Sequence, residues 1–202
     1  MISKMVSKQD LIECSIKNFI KFGSKRFSMN ELASELGISK KTIYKHFKTK
    51  EELIAKGLRL IIDKYLHDVD KVLKTKEDPI EKIVLIQEKS FQYLNYFKPA
   101  FLHGIKKYYH NADEVFQNFK DSFIKNTLKP LLEEAKEKEY LRKNLNIDLF
   151  CNLYFTKLEK LVFEPINLFE LYSIDEVFEH TIINSLRGFI TENYKDTNTL
   201  FS

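Results

Sequence analysis

The sequence predicts an all-α fold, and three observations lead to that prediction. Glycine and proline together contribute only nine of the 202 residues, which is few for a chain built from turns and strands. Apolar residues recur at helical spacing in most segments, and no segment keeps the alternating pattern of a strand. Helix-start signals also recur along the chain, so each predicted helix can be justified from its first residue.

Five helix starts are marked by an N-cap residue followed three positions later by an acid. The N-cap side chain accepts a hydrogen bond from a free backbone N–H group, and the acid reaches back toward the start of the helix. Pro79 strengthens the fourth start because proline is favoured at the first helical position. The five pairs are Ser7/Asp10, Ser28/Glu31, Thr49/Glu52, Asp78/Glu81 and Ser173/Glu176.

These starts and the apolar spacing together predict about nine helices. Pro130 falls inside the seventh of them and is expected to kink or break it, because proline lacks the N–H group that the helix needs. The predicted ranges are 8–22, 29–36, 40–47, 50–75, 79–97, 99–109, 112–138, 147–163 and 174–194.

Charge is distributed unevenly along the chain. Residues 1–60 hold 13 Lys and Arg against six Asp and Glu, whereas the remainder holds 20 against 23. A basic module on a mildly acidic body is typical of a protein that meets a polyanion at one end, although a solvated basic face is an equally simple explanation. No segment is apolar enough for export or membrane spanning, and two distant cysteines favour a reducing cytoplasm.

The segment 28–47 has the spacing of a helix-turn-helix motif. Ala33 is small enough for a second helix to cross closely, and Gly37 can adopt the left-handed conformation of a tight turn. Ile43 and Phe47 then point back toward the first helix of the pair. The opposite face of the second helix is rich in lysine, with no acid from residue 36 to residue 50.

This basic face is predicted to enter the major groove of double-stranded DNA. Helix N-termini at Ser28, Thr49 and Lys50 can add contacts to phosphate, since their N–H groups and the helix dipole attract anions. The predicted DNA-binding residues are Ser28, Ser39, Lys40, Lys41, Thr42, Tyr44, Lys45, His46, Thr49 and Lys50.

The stretch "FSMNELASELGISKKTIYKHFKTKEELIAKGL", residues 27–58, resembles the DNA-binding domain of the TetR family of bacterial regulators. The similarity covers about residues 8–60. It implies that the Ser28 equivalent caps a helix and meets phosphate, and that Tyr44 and Lys50 match residues that grip the DNA backbone. Lys41 departs from the family pattern, in which Gly or Ala is common, so this position is expected to add a phosphate contact or to read guanine.

The resemblance also implies an architecture and a function. Residues 1–50 would form the DNA-binding domain, and residues 51–202 a helical domain that binds a ligand and forms a homodimer. The expected protein is a cytoplasmic, ligand-responsive repressor on a palindromic operator, with a small hydrophobic or amphipathic effector. The alternative is a DNA-bound scaffold whose body docks a protein partner.

Two residue sets in the body are candidates for these roles. A stripe beside Gly188 on the last helix resembles the dimer-forming bundle of the family, although packing within one chain would explain it too. Lys157 lies on an aromatic stripe, where it either extends its ammonium to solvent or faces an acid or an anionic ligand. The candidate dimer residues are Phe178, Thr181, Ile182, Ser185, Gly188 and Phe189, and the candidate pocket residues, which would equally suit an ordinary core, are Phe101, Ile105, Tyr109, Phe116, Phe119, Phe123, Phe150, Tyr154 and Lys157.

Catalytic and metal-binding motifs are not apparent in the sequence. His103, His110 and Cys151 have no recognised metal-ligand spacing, and the chain lacks a phosphate loop, a nucleophile elbow and paired catalytic carboxylates. We therefore expect no metal, no cofactor and no enzymatic activity.

Overall fold

The predicted all-α class is confirmed by the computed structural model, which describes residues 6–23, 28–96, 99–163 and 168–196. Within these ranges the chain forms helices and connecting turns. The β-type pairing there is limited to one isolated antiparallel bridge between Leu141 and Ile190.

The helices follow the predicted order. Two π-helical turns interrupt them, Ile124–Leu128 directly after Phe123 and Glu179–Ile183 directly after Phe178. The helices are α1 (Lys8–Phe22), α2 (Met29–Glu35), α3 (Lys40–His46), α4 (Lys50–Thr75), α5 (Pro79–Tyr96), α6 (Pro99–Tyr108), α7 (His110–Phe123), α8 (Lys129–Glu137), α9 (Ile147–Phe163), α10 (Leu168–Leu171), α11 (Ile174–Phe178) and α12 (Asn184–Arg187).

All five predicted helix starts are confirmed. Ser7, Ser28 and Ser173 each form a complete capping box with the acid three residues later. At the other two starts the carboxylate has a different partner. Glu52 accepts the backbone N–H of Lys48 at 2.8 Å, and Glu81 pairs with Lys76 at 2.7 Å. Thr49 and Asp78 still accept the N–H of the third helical residue, so each of these helices begins where predicted.

Pro130 affects its helix through the turn that precedes it. It is the second residue of α8, directly after the π-helical turn Ile124–Leu128. A π turn replaces the normal hydrogen-bond pattern with longer bonds, so the missing N–H group of proline falls where the α-helical pattern has already been interrupted. The predicted continuous segment is therefore interrupted on the N-terminal side of Pro130.

The prediction that the last helix continues to residue 194 is wrong. The helix ends at Arg187, because the next residues pair with the segment after α8. The N–H of Arg142 donates to the Phe189 carbonyl at 2.9 Å, and that of Thr191 donates to the Tyr140 carbonyl at 3.0 Å. Gly188 is consequently the C-cap of α12 and does not lie inside a helix. It therefore does not mark a close crossing of two helices.

The chain divides into two compact units, residues 1–63 with 96–119, and residues 64–95 with 120–202. In the first unit, Leu11, Phe19, Leu32, Ile43 and Phe47 are buried. The core of the second unit is rich in aromatic pairs, such as Phe91 with Phe178 at 5.3 Å between ring centroids. The functional boundary predicted at residues 50 and 51 remains a prediction.

Gly57 allows α1 and α4 to approach each other closely. A Cβ atom added at Gly57 would lie 3.0 Å from Cβ of Ile16, which is closer than ordinary contact. At Gly188 the nearest atom to an added Cβ is the Ser185 carbonyl oxygen at 3.5 Å, which is ordinary contact. These two glycines therefore offer a matched comparison.

We expect Gly57→Ala to destabilise the protein by about 1–2 kcal/mol, since overpacking against a stiff β-branched side chain outweighs the better helix propensity of alanine. Gly188→Ala should change the free energy of unfolding by less than about 0.5 kcal/mol. Urea denaturation followed by circular dichroism compares the two. Equal stability of both variants would contradict the proposed close approach.

Candidate nucleic-acid interface

The turn between α2 and α3 closes through backbone hydrogen bonds. Gly37 adopts φ +64°, the left-handed conformation expected for it. The N–H of Ile38 donates to the Ala33 carbonyl at 3.0 Å, and that of Gly37 to the Ser34 carbonyl at 3.2 Å. This is the Schellman pattern, in which a left-handed residue ends the helix and satisfies its last carbonyl groups.

The inner side of α3 is anchored in the core of its unit. Ile43 and Phe47 are completely buried, and Leu32 and Ala33 of α2 are buried as well. Ser39 caps α3 by accepting the N–H of Thr42 at 3.1 Å, and the two hydroxyl groups lie 2.9 Å apart. The orientation of α3 is therefore set by burial on one side and by a cap at its start.

The outer side of α3 is exposed and cationic. Tyr44 keeps 44% of its surface exposed, and the ammonium of Lys40 lies 5.8 Å from the centroid of its ring. Thr42 is partly buried. The exposed members of this face are Ser39, Lys40, Lys41, Tyr44, Lys45 and His46.

The remaining predicted DNA-binding residues lie at the starts of α2 and α4. Ser28 is partly exposed, and its N–H donates to the Glu31 carboxylate at 2.6 Å. Hydrogen bonds from Ser28 hold the pKa of Glu31 below its usual value, and the positive charge of Lys50 contributes to this shift. Thr49 is exposed at the start of α4, whereas Lys50 is partly buried.

A partly buried polar contact between α1 and α2 was not predicted from the sequence. The Asn18 side chain donates to the Glu35 carboxylate and to the Cys14 carbonyl, both at 2.8 Å. Burial, followed by hydrogen bonding with Glu35, raises the pKa of Cys14 to about 11. Asn18 thus helps to fix α2 against α1, and its sequence signal is only a polar residue among the apolar positions of α1.

A cavity of about 330 Å³ lies in the second unit between α5, α9 and the C-terminal helices. Apolar atoms make up most of its wall, and the polar side chains on it include Gln87, Asn144, Asn146 and Tyr154. Tyr154 donates a hydrogen bond to the Gln87 side chain, and burial raises the pKa of its hydroxyl well above the usual value. The lining residues include Ile83, Leu149, Phe150, Leu153, Lys157, Thr181, Ile182, Ser185 and Phe189.

The structure separates the predicted pocket residues. Phe150, Tyr154 and Lys157 line this cavity, whereas Phe123 is buried in the same unit without lining it. The other five belong to the first unit, where the side chains of Phe101 and Ile105 are buried in the core. Those five are Phe101, Ile105, Tyr109, Phe116 and Phe119.

Lys157 extends its ammonium to solvent, which is the first of the two alternatives left open by the sequence. It is exposed, and its ammonium lies 3.4 Å from the Ser185 hydroxyl at the edge of the cavity. The cation therefore reaches solvent while the stem lies against the cavity wall.

The predicted dimer residues differ in their exposure. Phe178 packs on Phe91, Ile182 is buried, and Phe189 packs on Phe150 at 5.9 Å between ring centroids. Thr181 and Ser185 are partly exposed and Gly188 is exposed. The sequence interpretation missed Leu149 and Leu153, which are each 54% exposed on α9.

Comparison with known proteins agrees with the arrangement of α2 and α3. Residues 7–56 match the model of the bacterial regulatory proteins of the tetR family. An uncharacterised HTH-type transcriptional regulator of Bacillus subtilis, YvaF, is 25% identical over 175 residues, covering 84% of this chain and 89% of that protein. Residues 7–56 form a DNA-binding domain of the TetR family. The chain is a DNA-binding transcriptional regulator with a helix-turn-helix domain.

Two further proteins extend the comparison. The transcriptional repressor KstR2 of Mycolicibacterium smegmatis is 29% identical over 91 residues, covering 45% of this chain and 44% of that protein. The regulator FadR of Bacillus subtilis, solved in complex with stearoyl-CoA, has a TM-score of 0.67 at 15% identity, covering 94% of this chain and all of that one. The second likeness shows that the fold is shared over nearly the whole chain.

Within the described ranges, none of the helices combines the length and the apolar composition of a membrane span. Among the same residues, no three His, Cys, Asp or Glu side chains are grouped as metal ligands would be.

Proposed function

We propose that this TetR-family regulator is a ligand-responsive repressor that binds a palindromic operator as a homodimer in the cytoplasm. The observation that carries the proposal is the exposed cationic face of α3, fixed from behind by the buried Ile43 and Phe47. A short rigid helix with lysines on its free side suits insertion into the major groove.

We propose different roles in DNA binding for the residues of this face. Lys40, Lys41 and Lys45 supply positive charge, and Lys41 or Thr42 is placed to read base edges. Tyr44, His46 and Ser39 contact the DNA backbone that flanks the major groove. Ser28, Thr49 and Lys50 form a second set at the starts of α2 and α4, where hydroxyl, ammonium and backbone N–H groups bind phosphate oxygens.

The proposed homodimer uses the exposed part of α9 and the C-terminal helices. Leu149 and Leu153 are large apolar side chains that remain about half exposed, and together with the partly exposed Thr181 and Ser185 they also line the cavity, so the second copy would cover that side of it. Covering this surface with a second copy would remove apolar area from water. A symmetric pair would then present two α3 helices to successive major grooves about 34 Å apart.

Hydroxyl-radical footprinting tests the repressor proposal. The chain is incubated with DNA from the region upstream of its own gene, and protected sugars are mapped on both strands. Two protected segments with centres about 10 base pairs apart, related by a two-fold axis, are expected. Uniform protection without symmetry, or a single protected segment, would contradict a homodimer on a palindrome.

The cavity of the second unit is the proposed effector site. Its mostly apolar wall, with polar side chains such as Gln87, Tyr154 and Asn146, suits a small hydrophobic or amphipathic molecule. FadR, which shares the fold, was solved with stearoyl-CoA, so long-chain acyl thioesters are suitable probes. A ligand bound more tightly by one conformation of the repressor would shift its population and change its DNA affinity.

Native mass spectrometry of the purified protein, followed by titration of its DNA complex with acyl-CoA thioesters of increasing chain length, tests the effector proposal. Release of DNA at a stoichiometry of one effector per protomer is expected. A protein partner recovered at equal stoichiometry, with no release by any thioester, would favour the scaffold alternative.

A further inference from the structure

Tyr109 lies close to Lys50, although Tyr109 is outside the helix-turn-helix motif and no sequence pattern connects the two residues. The Lys50 ammonium is 5.7 Å from the centroid of the Tyr109 ring and 5.5 Å from that of Phe19. Cations are attracted to the faces of aromatic rings, and the attraction increases when water is excluded. All three residues belong to the first unit, together with α2 and α3.

The environment of Lys50 supports a held position. The residue is partly buried, and desolvation lowers the pKa of its ammonium, while the charge of Glu31 acts in the opposite direction. Glu31 is the acid of the Ser28 capping box at the start of α2. The ammonium therefore packs against two aromatic rings and interacts with the carboxylate charge at the start of α2, a helix proposed to contact phosphate.

A second contact fixes Tyr109 relative to the start of α4. Glu51, the neighbour of Lys50, accepts the N–H of Asn111 at 3.0 Å. The carbonyl of Tyr109 in turn accepts the N–H groups of Ala112 and Asp113 at 3.0 Å, so Tyr109 occupies the capping position of α7. The carboxylate of Glu51 thus joins the first turn of α7 to the first turn of α4, where it complements the helix dipole.

We propose that Tyr109 is a positioning residue for DNA binding, which together with Phe19 holds the Lys50 ammonium where it meets a phosphate of the operator. The inference rests on the proposed function, because it requires Lys50 to contact DNA. Tyr109 itself does not touch DNA in this account. Its ring restricts the flexible lysine side chain before the complex forms, so less side-chain freedom is lost on binding.

The test uses full-length variants and a duplex that the protein has selected from a random pool. Tyr109→Leu removes the ring face, Tyr109→Phe retains it, and Lys50→Met removes the cation. Tyr108→Leu is the matched control, because Tyr108 is the adjacent tyrosine and is 47% exposed. Circular dichroism and thermal unfolding confirm that each variant is folded.

Tyr109→Leu is expected to weaken DNA binding about three- to tenfold, whereas Tyr109→Phe and Tyr108→Leu should bind within about twofold of the parent. The slope of log K against log salt should fall by about one in Lys50→Met and by less in Tyr109→Leu. In the Lys50→Met background, Tyr109→Leu should have no further effect. That non-additivity distinguishes positioning of Lys50 from general packing.

Two results would overturn the inference. Equal loss from Tyr109→Leu with and without Lys50 would show that the ring acts through another residue, and tighter binding by Tyr109→Leu would show that the ring holds the lysine away from DNA. If Lys50→Met binds like the parent, the inference fails while the proposed function stands. If the parent selects no duplex, the proposed function itself fails.

Discussion

Replacing Lys40, Lys41 and Lys45 together by glutamine is expected to lower operator affinity by about 100-fold or more near physiological salt, because up to three phosphate-neutralising charges are lost from α3. All three side chains are exposed and glutamine is compatible with a helix, so the fold should be retained. Fluorescence anisotropy with a labelled operator measures the effect. The slope of log K against log salt should decrease by about two to three.

A matched triple variant separates local charge from net charge. Lys74, Lys138 and Lys143 are exposed lysines of the second unit, each paired with an acid four residues earlier. Their replacement by glutamine changes the net charge equally but leaves α3 intact. This control should bind DNA within a fewfold of the parent with an unchanged salt slope. Equal losses in both triples would assign the effect to overall charge.

Leu153→Asp is expected to convert the homodimer into a monomer and to reduce operator affinity by about 100-fold or more. Leu153 is 54% exposed on the proposed dimer surface, and a carboxylate there would be repelled by its symmetry partner or buried unpaired. A monomer also loses the second half-site, which contributes avidity of roughly 10²–10⁴ in a bivalent complex. Light scattering coupled to gel filtration measures the mass against the protomer of 24.0 kDa.

Leu66→Asp provides the control for this prediction. Leu66 is 39% exposed on α4, outside the proposed dimer surface. This variant should remain dimeric and bind the operator like the parent. A dimeric Leu153→Asp protein would assign the interface to another surface.

Local chemistry explains why the start of each helix could be predicted. Ser28 with Glu31 and Thr49 with Glu52 satisfy backbone N–H groups within one turn, so the signal is contained in four residues. The corner at Gly37 is similarly local, since its left-handed conformation and the bonds of Ile38 and Gly37 involve only α2 and the next residues. The fold of the proposed DNA-binding face follows from such short-range patterns.

Long-range pairing explains what could not be predicted. The apolar spacing of residues 174–194 suits one helix, but Phe189 and Thr191 bond to the segment after α8, some fifty residues earlier. The π turn at Glu179–Ile183 also changes the phase of the stripe through Thr181 and Ser185. Neither effect leaves a signal in the local pattern.

The candidate pocket shows the same limit. Helical spacing places aromatic residues that are neighbours in the sequence on one face of a helix. In the structure, Tyr109 lies beside Lys50 and Tyr154 lies beside Gln87, and both of these partners are distant in the sequence. Side-chain periodicity identifies which face of a helix is buried and does not identify its partner. The two exposed leucines of α9 were missed because this helix carries apolar residues on several faces. The apolar pattern therefore does not show which of them remain exposed.

Titration of the parent protein with its own upstream DNA tests the central claim most directly. Anisotropy is measured on that fragment and on a scrambled fragment of the same composition, between roughly 50 and 200 mM salt. We predict a tighter complex with the upstream fragment that weakens steeply as salt increases. Equal affinity for both fragments, or binding that does not respond to salt, would contradict the assignment of α3 as a DNA-reading helix.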